Sequence, residues 1–342
     1  MMKVLITGVS GRVGANLAVQ LMQRGYSVRG LIFPGDPKTE KVRQLGIEVL
    51  EAEIGDAEGV YRACDGCEII VHLAAQMKQG KSTVQKMVEI NAVGTLNILE
   101  GALRSSRKVE SILLASTDQA YHPFVAEPTT FYEDHVQKPI DIYALTKLMS
   151  EQMFFTYQRE FHLPIKIMRY SSVVAADEPL EVLYPAWLDM FINQEWTMPG
   201  RIPWFGADNV AEAKRVVAAA MQTPNAVCAI TDANGSAWGL PFTDVRDTVQ
   251  GTLRVLESPS ALGQVFNMVA PSSTSLVKAA QLIAAATNRP YLEVKMPFLW
   301  WFNVANHKAR SVLGYDPQYN FGDMVQTALA FRRGEDIGVV PV

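Results

Sequence analysis

The sequence contains few of the residues from which metal sites and disulfide frameworks are built. Only three cysteines occur in 342 residues. Cys64 and Cys67 have the spacing of a redox or metal-ligand pair, but no second pair exists, since the only other cysteine is Cys228. The five histidines show no H-x-x-x-H spacing. We therefore expect the two neighbouring cysteines to be structural, and we predict no metal site.

Long apolar runs and runs of basic residues are also missing. No stretch of about 18 apolar residues occurs, and the first predicted strand begins at Lys3, which leaves no room for a signal peptide. The net charge is −4, which argues against nucleic acid or an anionic membrane as a partner. These absences predict a cytoplasmic protein whose partner is a small molecule, with no nucleic acid and no membrane.

What the sequence does contain is enough apolar material for a large core, at 49% hydrophobic residues. Stretches of helical period alternate with short apolar runs, which lie at Val4, Val28, Val49, Ile69, Ile112 and Ile165. This alternation is typical of parallel strands joined by helical crossovers. We predict an α/β fold with a Rossmann-type, doubly wound parallel sheet and a smaller, less regular C-terminal lobe.

The first of these units carries a glycine-rich turn. The apolar run Lys3–Thr7 is followed at once by Gly8-Val-Ser-Gly11-Arg-Val-Gly14 and then by a stretch of helical period that ends at Gly25. Glycines in such a turn let the backbone approach a pyrophosphate, which the helix N-terminus receives. The spacing differs by one residue from the general G-x-G-x-x-G fingerprint. We predict dinucleotide binding by Gly8, Ser10, Gly11, Arg12, Val13 and Gly14.

A tyrosine and a lysine four residues apart open a predicted long helix, in the segment Asp141-Ile-Tyr-Ala-Leu-Thr-Lys147. Tyr143 and Lys147 lie on the same helix face. A phenol with an unperturbed pKa of about 10 is a poor base, and a neighbouring ammonium lowers its pKa toward neutrality. A surface Tyr/Lys pair is the alternative, because the pattern alone occurs often by chance.

Three further segments complete a set of motifs. Ile69–Ala75 is predicted to be a buried strand running into a loop, Asn91–Asn97 lies within a predicted helix, and Ser111–Thr117 is a predicted strand that ends in hydroxyls. Together with the glycine turn and the Tyr/Lys pair, these motifs resemble the extended short-chain dehydrogenase/reductase family, the group containing nucleotide-sugar epimerases and dehydratases. The resemblance covers nearly the whole chain, down to Ala309–Pro317.

The resemblance implies an enzyme with Thr117, Tyr143 and Lys147 as its catalytic residues. Tyr143 would exchange a proton with a substrate hydroxyl or carbonyl, Lys147 would hold the nicotinamide ribose, and Thr117 would hydrogen-bond the same substrate oxygen. Besides Tyr143 and Lys147, which it implies contact the cofactor as well, further cofactor-binding positions are Asp56, Leu73, Ala74, Ala75 and Asn91. Asn91 is also open to a purely structural role. Candidate substrate positions are Gln76, Asp118, Gln119, Ser171 and Ser172.

The cofactor that the resemblance implies is NAD, with NADP as the alternative. An acid at the end of the second strand binds the adenosine ribose hydroxyls of NAD, whereas a basic residue there suits the 2′-phosphate of NADP. That position lies close to Ile32, which is neither. Asp36 follows in the next loop, while Arg12 and Lys38 are neighbouring cations. Asp56 resembles the family's adenine contact, and an exposed loop acid is its alternative role.

Two departures from the family pattern bear on the reaction. Ser116–Tyr121 resembles the Thr-Asp-Glu segment of dTDP-glucose 4,6-dehydratases, but Gln119 replaces the second acid, and an amide does not remove a proton as a carboxylate does. Asp118 remains available as an acid, as a substrate hydrogen-bond partner or as a structural residue. Arg169–Ala176 stands where nucleotide-sugar enzymes read R-Y-F-N-V-Y-G-P, and Ser172 replaces the asparagine that contacts the diphosphate.

These departures favour an NAD(P)-dependent oxidoreductase that transfers a hydride between nicotinamide and a secondary alcohol or ketone of a sugar-like or other small polar substrate. A nucleotide-sugar epimerase is the first alternative. The second alternative is a catalytically silent NAD(P)-binding sensor. The presence of Thr117, Tyr143 and Lys147 argues against it.

The expected organisation is a dinucleotide-binding domain over residues 1–175 and mainly a substrate lobe over 176–342. A segment around 226–269 is expected to return to the main sheet. The helix that carries Tyr143 is apolar on more of its circumference than one buried face requires. Because relatives commonly pair this helix with the one near Asn91, we also predict a homodimer.

Overall fold

The computed structural model describes residues 1–77, 83–121, 129–192 and 206–341. Over these residues the chain forms fifteen strands, several of them only two residues long. In chain order they are β1 (Lys3–Thr7), β2 (Ser27–Ile32), β3 (Glu48–Glu51), β4 (Ile69–His72), β5 (Ser111–Thr117), β6 (Thr129–Phe131), β7 (Ile165–Tyr170), β8 (Val173–Val174), β9 (Val227–Asp232), β10 (Gly239–Leu240), β11 (Thr243–Asp244), β12 (Val265–Met268), β13 (Thr274–Ser275), β14 (Tyr291–Met296) and β15 (Phe302–Val304).

Twelve α-helices connect the strands of the described part of the chain. They are α1 (Arg12–Gln23), α2 (Thr39–Gln44), α3 (Ala57–Cys64), α4 (Val84–Val88), α5 (Gly94–Arg104), α6 (Ile142–Phe161), α7 (Pro185–Asp189), α8 (Gly206–Ala220), α9 (Val245–Glu257), α10 (Leu276–Thr287), α11 (His307–Leu313) and α12 (Phe321–Arg332). A π-helical turn, Glu89–Val93, joins α4 to α5. None of the helices in these ranges combines the length and the apolar character that a bilayer crossing requires.

Seven strands form one parallel sheet in the order β12-β7-β5-β4-β1-β2-β3. All six apolar runs predicted from the sequence lie in it, so the predicted Rossmann-type parallel sheet is confirmed. Within the segment 226–269, β12 joins this sheet beside β7, whereas β9 pairs with β14 in a separate two-stranded sheet. The apolar β9 packs in the C-terminal lobe. An apolar run in the sequence does not show whether a strand joins the main sheet or a sheet of the lobe.

Helices cover both faces of the large sheet. Along β1, Val4 and Ile6 point into a core shared with α1, α9 and α11, whereas Leu5 points into a core shared with α3, α5 and α6. Side chains alternate across a strand, and a strand that is buried on both faces is apolar without a break. This explains why the strands of the sheet are continuous apolar runs in the sequence.

A third core lies in the C-terminal lobe. It includes Trp238, Trp300 and Phe302, and helices α8, α10 and α12 pack around it. Of the residues 176–342 in which the sequence predicts mainly a substrate lobe, residues 193–205 and 342 lie outside the described part of the chain. The lobe stands next to the C-terminal ends of the parallel strands, because β8 follows β7 directly and pairs with β11.

Candidate active site

Two glycines of the first turn have no room for a side chain. Gly8 has φ of +69°, and a Cβ there would lie 2.9 Å from the backbone nitrogen of Ala74. A Cβ on Gly14 would lie 2.4 Å from the carbonyl oxygen of Gly8. Glycine at both positions therefore lets the turn, the end of β4 and the start of α1 lie in contact, and the helix N-terminus faces the space above the sheet.

A cavity of about 510 Å³ opens beside this turn. Of the predicted cofactor and substrate positions, it is lined by Gly8, Ser10, Gly11, Ala74, Ala75 and Gln76. Ile32 and Asp36, which the sequence indicated near the adenosine ribose of the cofactor, also line it. Sequence reasoning missed the rest of the wall, which consists of Leu31, Phe33, Ala52, Glu53, Ile54, Gly55, Lys86 and Ile90. Most of these residues lie at or just after the ends of β2 and β3. The rule that ligands of such sheets lie beyond the strand ends could have found them.

The remaining predicted cofactor positions are not in the wall of this cavity. Arg12 points toward the lobe, Gly14 packs under the turn, and Asp56 precedes the first residue of α3 while its neighbour Gly55 lines the cavity. Val13 and Leu73 pack against the core. Asn91 lies in the π-helical turn and contacts Gln76 of the wall, whereas Tyr143 and Lys147 lie on α6.

The wall fits a dinucleotide. Gly8 and Gly11 at a helix N-terminus, and apolar strand ends followed by the acids Asp36 and Glu53, form the kind of surface that a pyrophosphate, a ribose and an adenine require. The residues that would hold the pyrophosphate are Gly8, Ser10 and Gly11.

Asn91 connects this cavity to helix α6. Its side chain accepts from the backbone nitrogen of Gln76 at 2.7 Å and donates to the carbonyl of Gln76 at 3.0 Å. It also donates to the hydroxyl of Thr146 at 3.0 Å. Because Gln76 lines the cavity and Thr146 lies next to Lys147, Asn91 fixes the position of the helix relative to the cavity wall.

Thr117, Asp118 and Tyr143 come together at the end of β5. The Tyr143 phenol lies beside Thr117, whose hydroxyl donates to Asp118 at 3.3 Å. Asp141 accepts from the backbone nitrogen of Ala144 at 2.8 Å and so caps α6, which starts the helix where Tyr143 faces β5. Thr117 and Asp118 are buried, and Tyr143 is half-buried.

The expected lowering of the Tyr143 pKa by Lys147 is not found. Burial raises the pKa of Tyr143 well above its ordinary value, and the nearby Asp118 carboxylate raises it further, while the hydrogen bond with Thr117 lowers it. The sequence pattern places the two residues on one helix face, but it does not report how far each group is removed from water. The phenol is therefore protonated at neutral pH.

Lys147 is 2% exposed, and burial lowers its pKa to about 8. The carboxylate of Glu151, one turn further along α6, opposes this shift. His72 also lies near Lys147, and burial together with that ammonium lowers the pKa of His72 to about 3. The neutral imidazole bridges the hydroxyls of Thr7 at 2.8 Å and Thr95 at 3.1 Å, which is a packing role.

Burial also shifts the Asp118 carboxyl, raising its pKa to about 6, while hydrogen bonds from Ser171 and Thr117 oppose the shift. Of the predicted substrate positions, Ser171 and Gln119 lie near Asp118, whereas Ser172 does not. Ser171 lies beside Asp118, and Gln119 donates its backbone nitrogen to the Thr117 hydroxyl at 3.2 Å. Ser172 is exposed, and its carbonyl accepts from the backbone nitrogen of Thr243 at 3.1 Å.

Metal chemistry has no support among residues 1–77, 83–121, 129–192 and 206–341, which contain no group of three His, Cys, Asp or Glu side chains placed to hold an ion. Cys64 and Cys67 are buried, and burial raises the pKa of both thiols, that of Cys67 to about 11. A buried thiol of this kind is inert.

The chain is similar to known proteins of one family. The model of the NAD dependent epimerase/dehydratase family matches residues 4–270. UDP-N-acetyl-alpha-D-glucosaminuronate decarboxylase from Bacillus cytotoxicus is 26% identical over 306 residues, which are 86% of this chain and 83% of that protein. UDP-glucuronate 4-epimerase 1 from Arabidopsis thaliana is 31% identical over 183 residues, which are 50% of this chain and 42% of that protein.

Several other curated relatives match this chain only in part, like the Arabidopsis protein: the chain spans about half the length of these relatives. Among solved structures, a short-chain dehydrogenase/reductase superfamily protein from Agrobacterium tumefaciens with bound NAD is similar over 97% of both chains, with a TM-score of 0.79 and 25% identity.

Proposed function

The chain belongs to the NAD dependent epimerase/dehydratase family, and from that premise we propose that it moves a hydride between NAD and a secondary alcohol or ketone carbon of a sugar-like substrate. Membership confirms the resemblance drawn from the motifs, and NAD, the cofactor predicted from the sequence, is the cofactor in the family's name. The substrate class and the roles of individual residues are the proposal.

One observation carries it: Tyr143, Thr117 and Asp118 come together at the end of β5, and the helix of Tyr143 is connected to the wall of the cavity that fits the dinucleotide. The connection is made by Asn91, which donates to the carbonyl of Gln76 in the wall and to the hydroxyl of Thr146 on that helix. A substrate oxygen held by Thr117 and Tyr143 would therefore lie next to bound cofactor.

Bound NAD supplies the hydride donor or acceptor. In the direction of reduction, the protonated Tyr143 would give its phenolic proton to the carbonyl oxygen of a substrate whose carbonyl carbon receives the hydride, and the phenolate would be left one helix turn from Lys147. Thr117 orients the same oxygen. In the direction of oxidation, Tyr143 must first be ionised, which burial and the Asp118 carboxylate oppose, so oxidation should speed up as the pH rises.

Nucleotide-sugar epimerisation is the second candidate, because two relatives are named for UDP-sugars. It uses the same hydride step twice, with no net change in the cofactor. Water elimination in the manner of the dehydratases is disfavoured, since the amide of Gln119 stands where that route needs a carboxylate.

The test is a panel of free sugars, sugar acids and UDP-sugars, offered to the purified protein with NAD⁺ or, for ketones, NADH. Net formation or loss of NADH absorbance supports the dehydrogenase. Conversion of a UDP-sugar into its epimer without net NADH, seen by chromatography, supports the epimerase. Tight NAD binding with no conversion of any compound would contradict both and favour the sensor.

We also propose that the protein is a homodimer. Large apolar side chains remain exposed on α5 and α6 and on the π-helical turn before α5, namely Val93, Leu96, Leu103, Leu145, Met149 and Phe161. A second copy of the same two helices has the apolar character to cover them.

A further inference from the structure

Arg12, the first residue of α1, contacts the chain where it leaves the large sheet for the C-terminal lobe. One terminal nitrogen of its guanidinium donates to the carbonyl of Val173 at 2.5 Å, and the other lies 2.7 Å from a carboxylate oxygen of Glu178. Arg12 directly follows Gly11, which lines the cofactor cavity. One side chain therefore joins the glycine turn to residues 171–178, which we call the linking segment.

Glu178 is held in place by its own segment. Its second carboxylate oxygen accepts from the backbone nitrogen of Ala175 at 2.7 Å, and its backbone nitrogen donates to the carbonyl of Ala175 at 3.0 Å. Burial raises the pKa of Glu178, and the positive charge of Arg12 opposes that shift. An exposed ion pair contributes little when both side chains must be ordered to form it. Here the carboxylate is already fixed, and Arg12 donates to two acceptors of one segment, so less conformational entropy is lost.

The backbone of the linking segment is strained. Ala176 has φ of +49°, in the left-handed region that residues with a Cβ rarely adopt. A residue in that region persists only where the surrounding contacts hold it. These contacts include the hydrogen bonds between Ala175 and Glu178 and both contacts of Arg12. Releasing Arg12 should therefore loosen the segment.

The linking segment starts at the candidate active site and ends in the lobe. Ser171 directly follows β7, lies beside Asp118, and donates its hydroxyl to the carbonyl of Pro241 at 3.1 Å. At the other end, Asp177 lies 3.8 Å from a guanidinium nitrogen of Arg332 on α12. The order of this segment therefore affects the wall beside Asp118.

We propose that Arg12 and Glu178 form a latch through which dinucleotide binding at the glycine turn orders the linking segment. Backbone nitrogens of the turn and of the start of α1 donate to a bound pyrophosphate, which fixes the backbone of Arg12. The guanidinium then extends from a fixed base, so the motion of Val173 and Glu178 is reduced as well. Arg12 is thus a positioning residue. The inference rests on the proposed binding of the cofactor, and it means that the wall beside Ser171 is fully ordered only after the cofactor is bound.

Helix α1 does not depend on the latch for its own position. One turn after Arg12, Asn16 accepts from the backbone nitrogen of Val340 at 2.7 Å and donates to the carbonyl of Val340 at 3.0 Å. Leu17 and Leu21 of the same helix are fully buried in the core beneath it. A variant without the latch should therefore keep the glycine turn in place and release only the linking segment.

Hydrogen–deuterium exchange of the whole protein, with and without saturating NAD⁺, tests the latch without any knowledge of the substrate. In the wild type, NAD⁺ should slow exchange at the glycine turn and, by about fivefold or more, in the linking segment, although that segment is outside the cavity wall. Arg12→Met should keep the first effect and lose the second. Arg24→Met is the matched control, because Arg24 pairs with Glu257 beyond the other end of α1 at nearly the same exposure, and it should behave like the wild type.

Glu178→Gln tests the other half of the latch. An amide offers one oxygen in place of two, so the contact with Arg12 or the contact with Ala175 is lost. The protection of the linking segment by NAD⁺ should therefore fall in this variant too. The double variant Arg12→Met with Glu178→Gln should lose no more protection than Arg12→Met alone, because the two residues act as one contact.

Equal protection of the linking segment in the wild type and Arg12→Met overturns the latch and leaves the proposed function standing. The same holds if the wild type shows protection at the glycine turn alone, or if Arg24→Met loses protection as well, since that would be a general loosening of α1. No protection at the glycine turn of the wild type contradicts the proposed cofactor binding itself. If Arg12→Met does not melt cooperatively, Glu178→Gln decides the test.

Discussion

Arg169 and Glu151 form a bidentate ion pair in the protein interior, with Nε and Nη2 of the arginine 2.9 and 2.7 Å from the two carboxylate oxygens. The two side chains are 2% and 1% exposed. Ser116 donates to the same carboxylate at 2.5 Å, and Arg169 donates to the Tyr121 hydroxyl at 2.7 Å. The pair therefore joins β7, α6 and the end of β5, the three elements that carry the candidate active site.

Removing one member of this pair should lower the free energy of unfolding strongly. Glu151→Ala leaves the Arg169 guanidinium buried without a counter-charge, and we expect a loss of about 3–5 kcal/mol in the free energy of unfolding by urea. Glu335→Ala breaks an exposed pair with Arg333 and should have little effect.

The double variant Glu151→Leu with Arg169→Met separates the lost charge pairing from the lost packing. It should be more stable than Glu151→Ala, since only the Lys147 ammonium, and not the Arg169 guanidinium as well, is left without the Glu151 carboxylate. A loss in Glu151→Ala no greater than that in Glu335→Ala would show that the buried pair does not hold these elements together.

The phenol of Tyr143 should be needed for turnover but not for cofactor binding. Tyr143→Phe removes the proton that we assign to the substrate oxygen, and kcat on a substrate identified by the panel should fall by about 10²–10⁴-fold. The affinity for NAD should be retained, because Tyr143 does not line the dinucleotide cavity. Tyr132→Phe, at an exposed tyrosine, is the control. Near-normal turnover by Tyr143→Phe would contradict the proton route.

The sequence predicted the parallel sheet because its strands are buried on both faces and are therefore apolar without interruption. The same physics limited the prediction for β9, which is equally apolar but packs in the lobe beside β14. The glycine turn was predictable because Gly8 and Gly14 have no space for a Cβ. Such positions are visible in the sequence as residue types at a fixed spacing.

The parts of the site that were not predicted depend on long-range packing. The wall residues Ala52 to Gly55 lie beside those that follow β2 because β2 and β3 pair in the sheet, and the Asp118 carboxylate that helps to raise the pKa of Tyr143 comes from the end of β5. Glu151 is four residues beyond Lys147 and could have been proposed as its neighbour. Its ion pair with Arg169, which lies 18 residues away on β7, is visible only in the structure.

Stability should depend on pH through Asp118. Its folded-state pKa is raised to about 6, above the ordinary value of about 4, so its contribution is fully present below about pH 4 and is lost as the pH rises through about 6. Asp118→Asn removes this loss and should be more stable than the wild type at pH 7, by up to about 3 kcal/mol. The two proteins should differ least near pH 4.

Urea unfolding of both proteins between pH 4 and pH 8 measures this difference. Asp134→Asn, at an aspartate whose side chain is 92% exposed, should show no such pH dependence relative to the wild type. A difference between Asp118→Asn and the wild type that stays constant over this range would mean that Asp118 does not ionise in the buried environment described.

The apolar surface of α5 and α6 should hold two copies together. Leu145 and Met149 are one turn apart on α6 and remain 43% and 39% exposed, on a face separate from the buried Lys147. In sedimentation velocity at micromolar concentration we expect the wild type to be a dimer and Leu145→Glu with Met149→Glu to be a monomer, because the dimer would have to bury unpaired carboxylates. Val136→Glu adds a charge at a more exposed apolar residue outside these helices and should leave the dimer intact. A monomeric wild type, or a double variant that still dimerises, would exclude this face as the contact between subunits.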